Sequence, residues 1–277
     1  MSGVLPNFLI IGVQKSGTTS LMHYLNAHPD VFVPLNEIHY FDWNFDRGVD
    51  WYKAHFADVT TEHAVGEKTP EYIYYDQVPA RMVEILPEPR LIVILRNPVD
   101  RAYSHYWFNR TRGSEPLEFT EALAAEPERL AAGDILARAR YSYLDRGHYL
   151  AQIQRVCEYY PRSALKVILL EDLRDARLET FHSISRFLEV DDTFIPANLE
   201  VMKNRFVKFR SMRLRSPIRR FPHLFRRIAG RLNIRYSSYP PLDPSVREKL
   251  SKYFEEDNVA LETWLGRDLS AWRSSLS

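Results

Sequence analysis

Residues 8–20 read FLIIGVQKSGTTS, and this stretch decides the fold. Its first part, residues 8–13, is a continuous apolar run of strand length. Strands covered on both faces read this way, whereas half-exposed strands alternate. A turn of small residues follows, and residues 18–28 then carry helical spacing. Such a turn lets backbone N–H groups converge on a phosphate at the positive end of the helix. Gly12 and Gly17 have the spacing of the triphosphate-binding loop G-x-x-x-x-G-K-[ST], but Thr18 stands at the lysine position and the lysine has moved to Lys15. A nucleoside triphosphatase also requires a magnesium-holding aspartate ending a nearby strand. The apolar run 91–95 ends instead in Arg96, leaving Glu171 and Asp172 as weak candidates. The loop therefore reads as a phosphate site without a triphosphate and magnesium. A ligand-free turn is the alternative.

Working outward, LIVIL at 91–95 and LKVILL at 165–170 are two further buried-type strands. Helical patterns cover 99–110, 144–160, 178–188 and, as one long terminal helix, 244–265. Strand–helix repetition of this kind argues an α/β layer fold. Prolines 217, 222, 240 and 241 break the pattern between residues 196 and 244. The whole of 1–277 reads as a single domain with a basic excursion at about 203–235, because the last helix lacks partners for a domain of its own.

Hydrophobic residues make up 45% and charged residues 26%, which excludes global disorder. Cys157 is the single cysteine, so neither an intrachain disulfide nor a cysteine metal cluster can form. The apolar run at 8–13 is too short for a signal-peptide core or a membrane span, and the expectation is a soluble, cytoplasmic protein. The net charge of +1 conceals an asymmetry. Residues 203–235 hold twelve Lys or Arg and no Asp or Glu, so the remainder carries a net −11. This stretch, with Phe206, Phe209, Phe221 and Phe225 interleaved, reads equally as a site for an anionic glycan, a flap over a nucleotide, a segment on an acidic membrane surface, or a solvated cap. No recognisable nucleic-acid module accompanies the charge, so nucleic acid is not expected as a partner.

These residues resemble a known family. FLIIGVQKSGTTSLMHYLNAHPDVF is similar to the 5′-phosphosulfate loop and first helix of sulfotransferases that use 3′-phosphoadenosine 5′-phosphosulfate (PAPS). LIVILRNPVDRAYSHY, at 91–106, is similar to their 3′-phosphate strand and helix. NEIHYFD at 36–42, GEKTPEY at 66–72, GHYLAQIQRV and YPPLDP…LGRDLSAW resemble blocks of the heparan sulfate and bacterial branches. The resemblance covers most of the chain and is weakest over 203–235. It implies a P-loop-like three-layer fold, a central parallel sheet flanked by helices, and in-line sulfuryl transfer without a metal to a hydroxyl or amine of a carbohydrate or small molecule.

By the same resemblance, Lys15 stabilises the leaving phosphate oxygen, and Ser16, Gly17, Thr18 and Thr19 hold the 5′-phosphosulfate. Arg96 and Ser104 hold the 3′-phosphate. Glu37 matches the catalytic base. His39 is expected to orient the acceptor or substitute as base, and Lys68 to lie near the sulfuryl group, with an ion pair to Glu67 or Glu71 as its bland alternative. Arg235, Ser237, Ser238 and Tyr239 stand where the family often returns a basic loop to the 3′-phosphate, and residues 147–149 resemble a block near the acceptor cleft. Two rivals remain at this point, a nucleotide kinase or triphosphatase on a related fold and a non-catalytic polyanion-binding protein. Neither acceptor identity, oxygen against nitrogen as the attacked atom, nor oligomeric state is written in the sequence.

Overall fold

The computed structural model describes residues 3–200 and 239–273, together with the backbone of Val207–Phe209 and Ile234–Tyr236. Most of the basic excursion, and Ser237 and Ser238, lie outside the described residues.

The three apolar runs form strands β1 (Phe8–Gly12), β4 (Arg90–Leu95) and β5 (Leu165–Leu169). Two more, β2 (Val31–Phe32) and β3 (Ala64–Lys68), complete a five-stranded parallel sheet in the order β2-β3-β1-β4-β5. Neither has an apolar run of the length seen in the other three. Strand β3 reads AVGEK and ends in two buried charged residues. Val207–Phe209 and Ile234–Tyr236 pair as a separate antiparallel ribbon, with Lys208 opposite Arg235.

Successive residues of a strand face opposite sides, and both sides are covered here. Leu9, Ile11, Leu91, Val93 and Leu95 join one core with Met82 from α3 (Val78–Ile85) and Ile153 and Val156 from α8 (Tyr149–Cys157). Phe8, Ile10, Ile92 and Ile94 join the other with Leu21 and Leu25 from α1 (Thr18–Leu25) and Phe181 and Ile184 from α10 (Arg177–Leu188). Each such side chain contributes roughly 1.5–3 kcal/mol on full burial, which explains the unbroken apolar runs. Between these elements lie α2 (Val49–Lys53), α4 (Pro98–Arg112), α5 (Phe119–Ala124), α6 (Glu126–Ala131), α7 (Ile135–Tyr141) and α9 (Leu170–Asp175).

Helix α4 starts where its sequence directs. The Asn97 side chain accepts from the N–H groups of Val99 and Asp100, and Pro98 occupies the first turn, where no N–H is needed. The expected helix over 144–160 is shorter, a 3₁₀ turn at Asp145–Gly147 leading into α8. The expected terminal helix over 244–265 is two, α11 (Pro244–Tyr253) and α12 (Glu255–Leu265), which break at the fully buried Phe254, and α13 (Ser270–Arg273) follows. Among the described residues no helix is long and apolar enough to cross a membrane.

Gly66 of β3 lies opposite Phe8 of β1, and a Cβ built on it would overlap the buried Phe8 ring. Gly66→Ala should cost about 1–3 kcal/mol, the scale of overpacking a core, seen as a lower urea midpoint with unchanged slope.

Candidate functional site

The carboxyl ends of β1, β3 and β4 lie side by side and open onto one cavity of about 690 Å³. Ligands of open α/β sheets bind at this edge. Its lining includes Lys15, Gly17, Thr18 and Thr19 from the turn after β1, Glu37 and His39 from the loop after β2, and Arg96 and Ser104 from β4 and α4.

Gly17 has φ +89° and a Cβ there would lie 2.9 Å from Leu170 Cδ1, so both backbone and space require glycine. Lys15 also takes a left-handed φ, 75°. The N–H groups of Thr18 and Thr19, which open α1, have no carbonyl partner within the helix, and they lie at this turn. Ser16 is fully buried, and its hydroxyl has no hydrogen-bond partner among the described residues. A phosphate-type oxygen at this turn would answer that buried hydroxyl, so the donor set fits an anion. The Lys15 ammonium lies 4.3 Å from the centroid of the Phe108 ring. Burial, with the nearby charges of Arg112 and Arg96, lowers its pKa to about 8.

Arg96 reaches back across the strand edge, its Nη1 donating to the Lys15 carbonyl at 3.0 Å. The Tyr149 hydroxyl donates to the Arg96 carbonyl at 2.8 Å. One and a half turns along α4, Ser104 Oγ meets the Tyr239 hydroxyl at 2.7 Å. Thus the segment after the basic excursion returns to Ser104 through Tyr239. Ser238 is outside the described residues, and only the backbone of Arg235 is described.

At the other end of the cavity, Lys68 Nζ donates to Glu37 Oε1 at 2.5 Å. Lys68 is buried, whereas 36% of the Glu37 side chain is exposed. The alternative partners of Lys68 are engaged elsewhere. Glu67 accepts from Tyr52, Tyr72 and Thr69, and Glu71 accepts from Gln14 and Arg146. His39 Nε2 lies 3.5 Å from Glu37 Oε2, its Nδ1 2.8 Å from Asp42 Oδ2, and its ring stacks on Trp43 at 4.1 Å. Burial opposes charge on the His39 ring, but hydrogen bonds to Asp42 and Glu37 prevail and raise its pKa to about 10. Burial likewise opposes charge on Glu37, and hydrogen bonds from His39 and Lys68 prevail, lowering it to about 2. Both carboxylate contacts favour the protonated ring, an arrangement that suits orientation better than proton abstraction.

Other expected residues fall away from the cavity. His148 Nδ1 pairs with Asp257 at 2.9 Å, and its Nε2 meets Tyr253. Asp172 is held by Arg267 and caps the Leu169 N–H, and Glu171 accepts from Trp272. These structural partners count against a magnesium-holding role for either acid. Among the described residues no group of three or more His, Cys, Asp or Glu is gathered to hold a metal ion. Sequence reading passed over Asp42, Phe108 and Arg112. Helical spacing was the available signal for two of them, since Ser104, Phe108 and Arg112 recur at i, i+4 and i+8 on α4 and all line the cavity.

A sulfotransferase domain profile matches residues 5–260. The chain belongs to the sulfotransferase domain family. The chain is 29% identical to the human bifunctional heparan sulfate N-deacetylase/N-sulfotransferase 3 over 97% of its own length, but that match spans 31% of the relative. It is 28% identical to human heparan sulfate glucosamine 3-O-sulfotransferase 5, covering 96% of this chain and 74% of that one. The crystal structure of a sulfotransferase from Alicyclobacillus acidocaldarius superposes with a TM-score of 0.78 at 29% identity, covering 98% of this chain and 100% of the other. The P-loop-like α/β fold and its parallel sheet are thus shared with a solved sulfotransferase.

The His39 assignment can be checked by NMR. Its imidazole should stay protonated through neutral pH, and Asp42→Asn, which removes its shortest charged contact, should lower the titration midpoint by about one unit or more.

Proposed function

We propose that this sulfotransferase transfers a sulfuryl group from PAPS to a hydroxyl or amine of a carbohydrate or small-molecule acceptor. The observation that carries the reading is that two clusters of anion-binding side chains and the Glu37 carboxylate, itself paired with the buried Lys68, line one cavity. PAPS, when bound, supplies a sulfuryl group on an acid anhydride whose leaving group is adenosine 3′,5′-bisphosphate. The turn at 15–19 would hold the 5′ end through backbone N–H groups, the hydroxyls of Ser16, Thr18 and Thr19, and Lys15. Arg96 would hold the 3′-phosphate, with a bidentate guanidinium suited to it, together with Ser104. The Arg96–Lys15 hydrogen bond brings the two clusters within the span of one nucleotide.

Glu37 takes the proton of the attacking hydroxyl or amine. A carboxylate held near 2 is a poor base, since general-base catalysis favours a pKa closer to the working pH. An acceptor that loosens the contacts from His39 and Lys68 makes the carboxylate more basic and leaves the Lys68 ammonium available to the sulfuryl oxygens. His39, protonated and held by Asp42, donates a hydrogen bond that orients the acceptor. Lys15 stabilises the negative charge that grows on the leaving oxygen, and such preorganised donors are worth about 10²–10³ in rate. Heparan sulfate is named for both human relatives, so a desulfated heparan sulfate is the first acceptor to test.

With labelled PAPS and that acceptor, Glu37→Ala and Lys15→Ala should each reduce turnover by about 10²-fold or more. Full activity in either variant refutes that residue's role. Adenosine 3′,5′-bisphosphate should raise the melting temperature of the parent protein, and Arg96→Ala should abolish the rise.

Lys15 also sets a pH dependence. An anion favours its charged form, so the pKa of about 8 in the free protein rises on binding. Affinity for adenosine 3′,5′-bisphosphate should be full below pH 8 and fall as pH rises through 8, by up to about tenfold per unit. Calorimetry should register proton uptake on binding at pH 9. A flat profile in the parent, or an unchanged profile in Lys15→Met, excludes this origin.

A further inference from the structure

We propose that Tyr72 and Thr69, anchored by the buried carboxylate of Glu67, are positioning residues that act through Glu37 by fixing the backbone that carries it. The inference rests on the reading of Glu37 as base given above and adds residues to which that reading gives no part.

Glu67 and Lys68 are adjacent on β3, so their side chains leave opposite faces of the strand. Lys68 turns to the Glu37 side chain. Glu67 turns into the interior, where it is 1% exposed. One oxygen accepts from the Thr69 hydroxyl at 2.8 Å and the Tyr72 hydroxyl at 2.5 Å, the other from the Tyr52 hydroxyl at 2.5 Å. The hydroxyls thus oriented then serve as acceptors. Thr69 Oγ1 takes the His39 N–H at 3.4 Å, and the Tyr72 hydroxyl takes those of Tyr40 at 2.7 Å and Phe41 at 3.3 Å.

Three consecutive amides, directly after Glu37 and Ile38, therefore rest on two hydroxyls that share one carboxylate. The Tyr52 ring also stacks on Tyr40 at 4.3 Å. This support has something to hold against. His39 has φ 54°, a left-handed value uncommon outside glycine, and such residues persist where their surroundings over-determine them. Burial raises the Glu67 carboxyl to about 7 despite its three hydroxyl donors. An apolar packing residue would fill the same space without that opposition, but could not orient the two hydroxyls that the loop amides need.

Tyr72→Phe tests this, because it keeps the ring in the core and removes only the hydroxyl. With PAPS and desulfated heparan sulfate, kcat should fall about tenfold or more, the scale of a small misplacement of a reacting group. Affinity for adenosine 3′,5′-bisphosphate should stay within about twofold, since the nucleotide is held by the turn after β1 and by Arg96. In a Glu37→Ala background, Tyr72→Phe should cost nothing further, as residues acting through one group are non-additive. Thr69→Val should behave in the same way.

The His39 imidazole supplies an acceptor-independent readout. In Tyr72→Phe its titration midpoint should fall toward the ordinary histidine range as its contacts to Glu37 and Asp42 loosen. Losses that multiply in the double variant, nucleotide affinity that falls as much as kcat, or a His39 midpoint identical to the parent's would each overturn the proposal. A fully active Glu37→Ala would instead remove the function reading, leaving the His39 measurement to judge the support itself.

Discussion

The hydrogen bond from Arg96 Nη1 to the Lys15 carbonyl, beside that from the Val13 N–H to the Ile94 carbonyl, ties the end of β4 to the turn after β1, and the rest of the site depends on that closeness. It follows from strand order. β1 lies between β3 and β4, and parallel strands about 4.8 Å apart bring all three carboxyl ends to one edge. The turn that carries a half-buried lysine and the strand-end arginine are far apart in the chain and meet for that reason. The apolar runs that place β1 and β4 in the interior of the sheet also bury both their faces, so the framework around the turn is packed from both sides.

The sequence made these two central strands legible because burial on both sides leaves an uninterrupted apolar signal. It made the turn legible because left-handed backbone at Gly17 demands glycine. It did not reveal β3, for a physical reason. Ala64–Lys68 lies beside β1 yet ends in Glu67 and Lys68, whose burial is compensated by hydrogen bonds and an ion pair from distant residues. Charged residues in a short segment read as surface, and only the folded chain provides their partners. The terminal helix was misjudged in the same way. Residues 244–265 have continuous helical spacing, and the break falls at Phe254, which packs with Val99, Ala102 and Tyr143, contacts that no local pattern contains.

Among the site residues, Lys15, Glu37, Arg96 and Ser104 were legible through the motifs around them, and all four line the cavity. Asp42 was not, although it stands three residues after His39 and sets the ring's protonation. Its side chain is charged and its surroundings aromatic, so its burial could not be foreseen. The same holds for His39: a histidine near a glutamate suggests a base when considered alone, and a second carboxylate on the opposite ring nitrogen favours its charged form.

The two ends of the cavity then differ in charge, and the difference is the one the proposed roles call for. Lys15, Arg96 and Arg112 crowd the end lined by the turn, and their mutual repulsion, together with burial, is visible in the lowered pKa of Lys15. An anion relieves that repulsion. At the other end two carboxylates, Glu37 and Asp42, meet two cations, His39 and Lys68, so the local charge is close to balanced. A neutral hydroxyl or amine enters such a region without a large electrostatic penalty, whereas it would gain nothing from an array of bare cations. The balance also means that separating Lys68 from Glu37 changes both partners together: the carboxylate gains basicity as the ammonium loses its partner. Because Lys68 is buried on a central strand while Glu37 sits on a loop, the loop is the member that must be held in register, and this is where the hydroxyls of Thr69 and Tyr72 grip the backbone.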